Sequence, residues 1–295
     1  MSLAFKLKMA KQTAEKLLRD EGYTSLPIDL CAIARSRDIL VKSKPPDADG
    51  VSGMLLRHGD NFMIVYATFI DSDGFQRFSI AHELGHYFLE GHIDHVLPKD
   101  GTHESRAGFI SADPYEQEAD SFAAGLIMPE ALFKKALDKT EIGLPAVESM
   151  ASLCRSSLTA TAIRYAELTD QAVAAILSNG PTIDYCILSD KMKSLPGLTW
   201  LRKGSPVPKN TTTARFNADR QRVAAGNRLL AAIDIQDWLG GSQSVIANEE
   251  VVGLGRYGKT LTVLSSEKIR DKEDPDDDDD DDDDVMERWT PRFRR

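Results

Sequence analysis

The stretch Arg77-Phe78-Ser79-Ile80-Ala81-His82-Glu83-Leu84-Gly85-His86-Tyr87-Phe88 contains the pattern His-Glu-x-x-His. Phe78, Ala81, Gly85 and Phe88 recur at helical spacing, so the stretch reads as a helix with one buried stripe. Asp71, Ser72 or Asp73 can cap its start, and Gly91 stands where a left-handed C-terminal cap would fall. On such a helix His82 and His86 are four apart and project from one face, close enough to share a metal ion. Glu83 is turned about 100° from His82, which sets it beside that ion rather than on it. There a general base can take a proton from a metal-bound water. The same five-residue pattern also arises by chance on amphipathic surface helices. The apolar flanks argue against that reading, because two histidines and a glutamate on a buried helix need partners.

A catalytic zinc takes three protein ligands and keeps one position open. Two residues compete for the third place. Glu116 and Asp120 form Glu-x-x-x-Asp on a second helix, where Glu116 can ligate while Asp120 accepts a hydrogen bond from a ligand imidazole and fixes its tautomer. His92 follows His86 by six residues, the spacing of the longer three-histidine motif. That motif needs a glycine where this chain has Leu89, and Gly91 turns the chain too late, so the reading favours Glu116. Glu116 can also serve only as the third residue of a capping box opened by Asp113-Pro114. His58, His95 and His103 read as surface histidines, though one of them, or Tyr115, can help to hold an oxyanion.

Around these motifs the chain divides by pattern. Residues 4–20 and Pro27–Ala34 read as helices, and Ile39–Val41, Gly50–Leu56 and Asn61–Tyr66 as strands. Asn61–Tyr66, nearest the histidine helix, is expected to offer an exposed edge to an extended peptide. From Gly91 to Asp113 a polar loop of about 20 residues is expected, a length that is uncommon unless the loop is functional. A helix then runs from Asp113 to Pro129 and a short one to Leu137. Pro145–Leu153 and Leu158–Leu168 form a pair with helix-turn-helix spacing. Its two arginines, Arg155 and Arg164, are offset by Glu148 and Glu167, too little to hold phosphates, so the pair is expected to complete the core. Beyond Gln171, Ala172–Leu177 and Ile183–Leu188 flank Asn179-Gly180 as a hairpin, and Leu229–Ile235, Ser244–Gly253 and Thr260–Leu264 are further strands.

The formal charge of −10 is concentrated at one place, because residues 271–284 hold twelve acidic residues and one lysine. Asp276–Asp284 repel one another and are expected to be disordered. The rest is near neutral, so bulk charge suggests neither direct nucleic-acid nor membrane binding. No apolar run approaches the roughly 20 residues of a membrane span. Met1–Lys6 lacks the apolar block of a secretory signal, and Cys31, Cys154 and Cys186 are scattered, as in a reducing compartment. A cytoplasmic location is expected.

The fold class that follows is α+β. A zincin-like domain over residues 1–140 is followed by a helical pair over 141–170, a small antiparallel α+β domain over 171–267 suited to recognition or sensing, and an acidic disordered tail over 268–295. Pro27-Ile28-Asp29-Leu30, Gly50-Val51-Ser52-Gly53, the histidine helix, and Glu116 to Ala124 ending in Met128-Pro129 together resemble the ImmA/IrrE family of zinc-dependent metallopeptidases, over roughly residues 10–135. The resemblance implies a minimal zincin fold with His82, His86 and Glu116 as metal ligands and Glu83 as catalytic base. Asp120 stands where many members carry asparagine. It also implies cleavage of helix-turn-helix repressors, hence a role in transcription regulation.

The expected function is therefore a metal-dependent endopeptidase acting on a protein substrate, with Zn2+ or another divalent metal such as Mn2+. Its alternative is a non-catalytic, metal-stabilised regulatory or antitoxin-like binding module, against which an intact Glu83 argues.

Overall fold

Local capping starts the helices where the sequence puts its small polar residues. The Ser2 hydroxyl accepts from the Phe5 amide at 3.4 Å, and α1 (Leu3–Asp20) buries Ala10, Ala14 and Leu18. The computed structural model describes residues 2–44, 51–97, 101–106, 111 and 113–267. Gly50 and the expected acidic tail over 268–295 lie outside the described residues. Asp29 caps α2 (Leu30–Arg35) through the Ala32 amide at 2.9 Å.

Three strands follow, β1 (Leu40–Lys44), β2 (Val51–His58) and β3 (Asn61–Ala67). The histidine helix α3 (Asp73–Phe88) comes next; of its three candidate caps, Ser72 accepts from the Phe75 amide at 3.4 Å. Gly91 is left-handed with φ 78°, but it opens a further short helix, α4 (His92–Val96), and α3 itself ends on extended Leu89. The stretch expected to be a loop thus holds α4 and a strand, β4 (Thr102–Arg106). Its polar residues hid the strand, since Thr102, His103, Glu104 and Ser105 offer no apolar alternation to read.

β4 completes the sheet in the order β1-β3-β2-β4, with β1 parallel to β3 and the other pairs antiparallel. The expectation that Asn61–Tyr66 is an exposed edge is therefore wrong. β3 is paired on both sides, and β4 is the edge next to β2.

Asp113 caps α5 (Pro114–Ile127) through the Tyr115 amide at 2.9 Å, with Pro114 at the first helical position as the pattern required. A β-carbon on Gly85 would stand 3.1 Å from Cα of Ala119, and one on Gly125 2.8 Å from the Lys11 carbonyl oxygen. Helix α5 therefore touches α3 on one side and α1 on the other nearly backbone to backbone. After α6 (Glu130–Leu137) come α7 (Leu144–Cys154) and α8 (Leu158–Leu168). This pair packs into the core through Val147, Met150, Cys154, Ala162 and Tyr165. Arg155 forks onto Asp73, with both contacts at 2.7 Å. Arg164 is buried, paired with Glu15 at 2.9 Å, and donates to the Met128 carbonyl. Both arginines of the pair are thus paired within the chain, Arg164 in the interior and Arg155 at the surface.

The remaining strands are β5 (Ala172–Asn179), β6 (Thr182–Leu188), β7 (Arg228–Asp234), β8 (Ile246–Gly253) and β9 (Thr260–Ser266). They form an antiparallel sheet in the order β6-β5-β9-β8-β7. Between β6 and β7 run the short helices α9 (Asp190–Lys193), α10 (Thr212–Asn217) and α11 (Arg220–Ala224), each too short to show a period in the sequence; α12 (Ile235–Leu239) follows β7. One face of this sheet, with Val173, Ala175, Leu261 and Val263, joins the same core cluster as Leu84, Phe122 and Tyr165. The other face, with Ala174, Ile176 and Leu264, packs with Met192 and Trp238 in a second cluster. The fold is α+β, with two sheets among the described residues. Among the described residues no helix is long and apolar enough to cross a membrane.

Candidate metal centre

Helix α3 lies with its histidine face toward α5 and its Glu83 side toward β2. His82, Glu83 and His86 are all buried. Across the gap Glu116, on the first turn of α5, turns its carboxylate to the histidines instead of capping its own helix. Its Oε2 is 3.3 Å from Nε2 of His82 and its Oε1 3.3 Å from Nε2 of His86. The two histidine Nε2 atoms face each other at 3.0 Å. Asp120, one turn further along α5, meets Nδ1 of His82 at 2.8 Å.

The rival for the third place lies elsewhere. His92 is buried behind His86, Nδ1 to Nδ1 at 3.2 Å, on the side of the ring away from Glu116. Glu118 faces His92 Nε2 at 3.5 Å and is paired with Lys6 at 3.1 Å. His95 stacks on Tyr115 with ring centroids 3.7 Å apart.

His103 is the residue that sequence reasoning undervalued. It sits on β4 opposite Leu55, its Nε2 is 3.0 Å from Oε1 of Glu116, and its ring centroid is 4.6 Å from that of His86. Only the pairing of β4 with β2 brings it there. The available signal was a histidine in alternation with Ser105 on an otherwise polar strand.

The electrostatics of the pocket favour one positive charge at its centre. Burial works against the His82 imidazolium, yet hydrogen bonds to Asp120 and Glu116 and the charge of Glu83 outweigh it and raise its pKa to about 10. Burial pushes His86 down to about 4 against the pull of Glu116. Burial alone would raise Glu116, but contacts with His103, His82 and His86 hold its carboxyl well below the usual carboxylate range. Glu83 differs: burial pushes its carboxyl above the ordinary range against the pull of His82, Ser105 and His103, and among the described residues neither oxygen has a partner in hydrogen-bond geometry.

These features test whether a metal fits. Asp120 accepts a hydrogen bond from Nδ1–H of His82 when that ring is neutral, which leaves Nε2 a lone pair aimed at Nε2 of His86 and at an anionic carboxylate. With the His86 proton on its Nδ1 as well, such a set repels itself until a proton or a metal ion sits between; the other His86 tautomer donates from Nε2 to Glu116 and leaves no ligating lone pair there. His82, His86 and Glu116 offer donor atoms all within 4.8 Å of one another, and Glu83, His86 and His103 form an overlapping group. Two imidazoles and a carboxylate are a donor set suited to a divalent cation of intermediate softness. The residues fit the group.

Comparison with known proteins agrees. Residues 34–144 match the family Peptidase_M78, described as IrrE N-terminal-like domain, which bears out the ImmA/IrrE resemblance over that span. The Pro27–Leu30 motif falls before it. A solved structure, a Mycobacterium tuberculosis transcriptional regulator, superposes with a TM-score of 0.54 at 14% identity, covering 87% of this chain and 76% of that one. That likeness concerns the fold alone. No curated protein matches.

Proposed function

We propose that this chain, whose residues 34–144 match the IrrE N-terminal-like domain of the Peptidase_M78 family, is a metal-dependent endopeptidase that cuts a protein substrate. The observation that carries the reading is Glu83: a fully buried carboxylate with no partner in hydrogen-bond geometry among the described residues, beside two histidines and Glu116 that converge on one point. A carboxylate is not kept in that condition for stability, since an unpaired buried charge costs several kcal/mol. It suits a base awaiting a reactant.

In this reading His82, His86 and Glu116 hold the ion, with Zn2+ the best match to the donor set. The ion, when bound, supplies a Lewis acid that polarises a peptide carbonyl and acidifies water. Glu83 takes the proton of the attacking water and delivers it to the nitrogen of the leaving amine. Its raised pKa brings it closer to neutral pH, where a base that must also act as an acid is most efficient. Asp120 orients His82, and His103 donates to Glu116 and fixes the carboxylate plane. The free edge of β4, which carries His103 into the pocket, suits an extended substrate segment paired by its backbone.

Backbone pairing selects extension and not sequence, so substrate choice needs another surface. Residues 171–267 are the candidate, as a recognition or sensing unit. Following the family resemblance, the substrate is a helix-turn-helix repressor cut in an exposed linker, and the setting is cytoplasmic.

The test is a peptide and repressor cleavage screen with zinc-loaded wild type and Glu83→Gln, read alongside metal content. Cleavage by wild type only, with equal metal in both, is the expected result. Metal in both and cleavage by neither would leave a metal-stabilised binding module instead.

A further inference from the structure

Resting on the metal-site reading above, we infer that His92 is a positioning residue: it locks His86 in the tautomer whose Nε2 is free to ligate, and Glu118 in turn locks His92. The two rings meet Nδ1 to Nδ1 at 3.2 Å. Such a contact holds only with one proton between the nitrogens, because two N–H groups clash and two lone pairs repel. For Nε2 of His86 to offer a lone pair toward Glu116 and His82, the His86 proton must sit on Nδ1. Nδ1 of His92 must then accept, which sends the His92 proton to its own Nε2.

That nitrogen faces Oε2 of Glu118 at 3.5 Å, a charge contact too long to count as a formed hydrogen bond, and it has no hydrogen-bond partner among the described residues. Oε1 of Glu118 accepts from Lys6 Nζ at 3.1 Å. The Glu118 carboxylate beside His92 favours the His92 tautomer that carries its proton on Nε2. His82 reaches its carboxylate directly, through Asp120 at 2.8 Å. His86 reaches one through an interposed ring. Gly91, at φ 78°, turns the chain so that the first residue of α4 lies back under α3. The spacing of six residues that made His92 look like a ligand instead delivers it to the far nitrogen of the ligand.

The bland alternative is that His92 only fills space beside Tyr115, whose ring lies edge-on at 5.0 Å. Substitution by rings and amides separates the two. His92→Phe keeps the volume and removes the acceptor. His92→Asn restores an acceptor near the Nδ1 position.

The experiment is Zn2+ affinity at pH 7 by competition with a chromophoric chelator, for wild type, His82→Ala, His92→Phe and His92→Asn, each with a melting curve of the metal-free protein. His92→Phe is expected to weaken Zn2+ binding about 10- to 100-fold, the usual effect of losing a group that orients a ligand. His92→Asn is expected to recover most of that loss although it packs worse. Long-range 15N–1H spectra of the zinc-loaded wild type should place the His86 proton on Nδ1 and the His92 proton on Nε2, a result that needs no variant to fold. A His92 proton on Nδ1, or equal affinity in His92→Phe and wild type, overturns the proposal alone. Zn2+ binding that His82→Ala leaves unchanged overturns the metal-site reading and this role together.

Discussion

A β-carbon on Gly53 would lie 2.5 Å from Oε1 of Glu83 and 3.2 Å from its Cγ. Strand β2 and helix α3 are thus fitted together around the buried carboxylate, and the glycine is required by space, since its φ is not in the left-handed region. Any side chain at residue 53 must displace Glu83.

Gly53→Ala is accordingly expected to lower kcat by about 100-fold, the scale of a misplacement of about 1 Å in a reacting group. Metal content should be unchanged, because Gly53 crowds neither histidine nor Glu116. Turnover of a cleaved peptide together with elemental analysis checks both halves; loss of metal would show that β2 shapes the whole pocket.

Glu83→Gln has a stability signature besides its effect on cleavage. Burial raises the Glu83 carboxyl above its ordinary value, so the folded protein holds that proton more tightly than the unfolded chain does. Stability is then lost as pH rises from the ordinary carboxylate range through the raised pKa. Glutamine stays neutral throughout. The metal-free variant should melt above metal-free wild type at pH 8, and the gap should narrow toward pH 5. A gap that widens on acidification would contradict the assignment.

Gly85→Ala tests the closeness of α3 and α5. Its new methyl would stand 3.1 Å from both Cα and the carbonyl oxygen of Ala119, so the helices must separate. A destabilisation of about 1–3 kcal/mol is expected from overpacking, with weaker Zn2+ binding because Glu116 moves off with α5. Unchanged affinity in a destabilised variant would mean that Glu116 adjusts by its own rotamers.

Glu116→Ala should cost far more zinc affinity than Asp120→Ala, which should lose about 10- to 100-fold. The reverse order would make Asp120 a ligand. Chelator competition on the two variants decides it.

Glu249 makes a control remote from the site. It is buried in β8 and accepts from the Thr212 and Thr213 amides at 2.8 Å each and from the Thr213 hydroxyl at 2.7 Å. Glu249→Ala strands these donors and should destabilise the protein by at least about 2 kcal/mol. Zinc affinity at a temperature where the variant is folded should not change. A parallel loss of affinity would show that the second sheet and the metal centre are coupled through their shared core.

The local features of the fold were legible because they depend on neighbours in sequence. Ser72 and Asp113 cap the helices they precede, and the four-residue spacing puts His82 and His86 on one face of α3. The pairing of Glu116 with that face was readable as well, since a second helix with carboxylates one turn apart is itself a local pattern. The strand Thr102–Arg106 was not. Its residues are polar on both faces, so it exists only because β2 offers it an edge.

The chemistry of the pocket was thus set by sequence: two histidines, a glutamate beside them and a carboxylate pair on the next helix, each fixed by helical periodicity. Which nitrogen meets which oxygen was left to tertiary packing. Only the closure of α4 beneath α3 puts His92 on Nδ1 of His86 rather than beside Glu116, and only strand pairing carries His103 to Glu116. Periodicity acts over about four residues, whereas those contacts depend on turns and sheet edges whose geometry is decided by what packs against them.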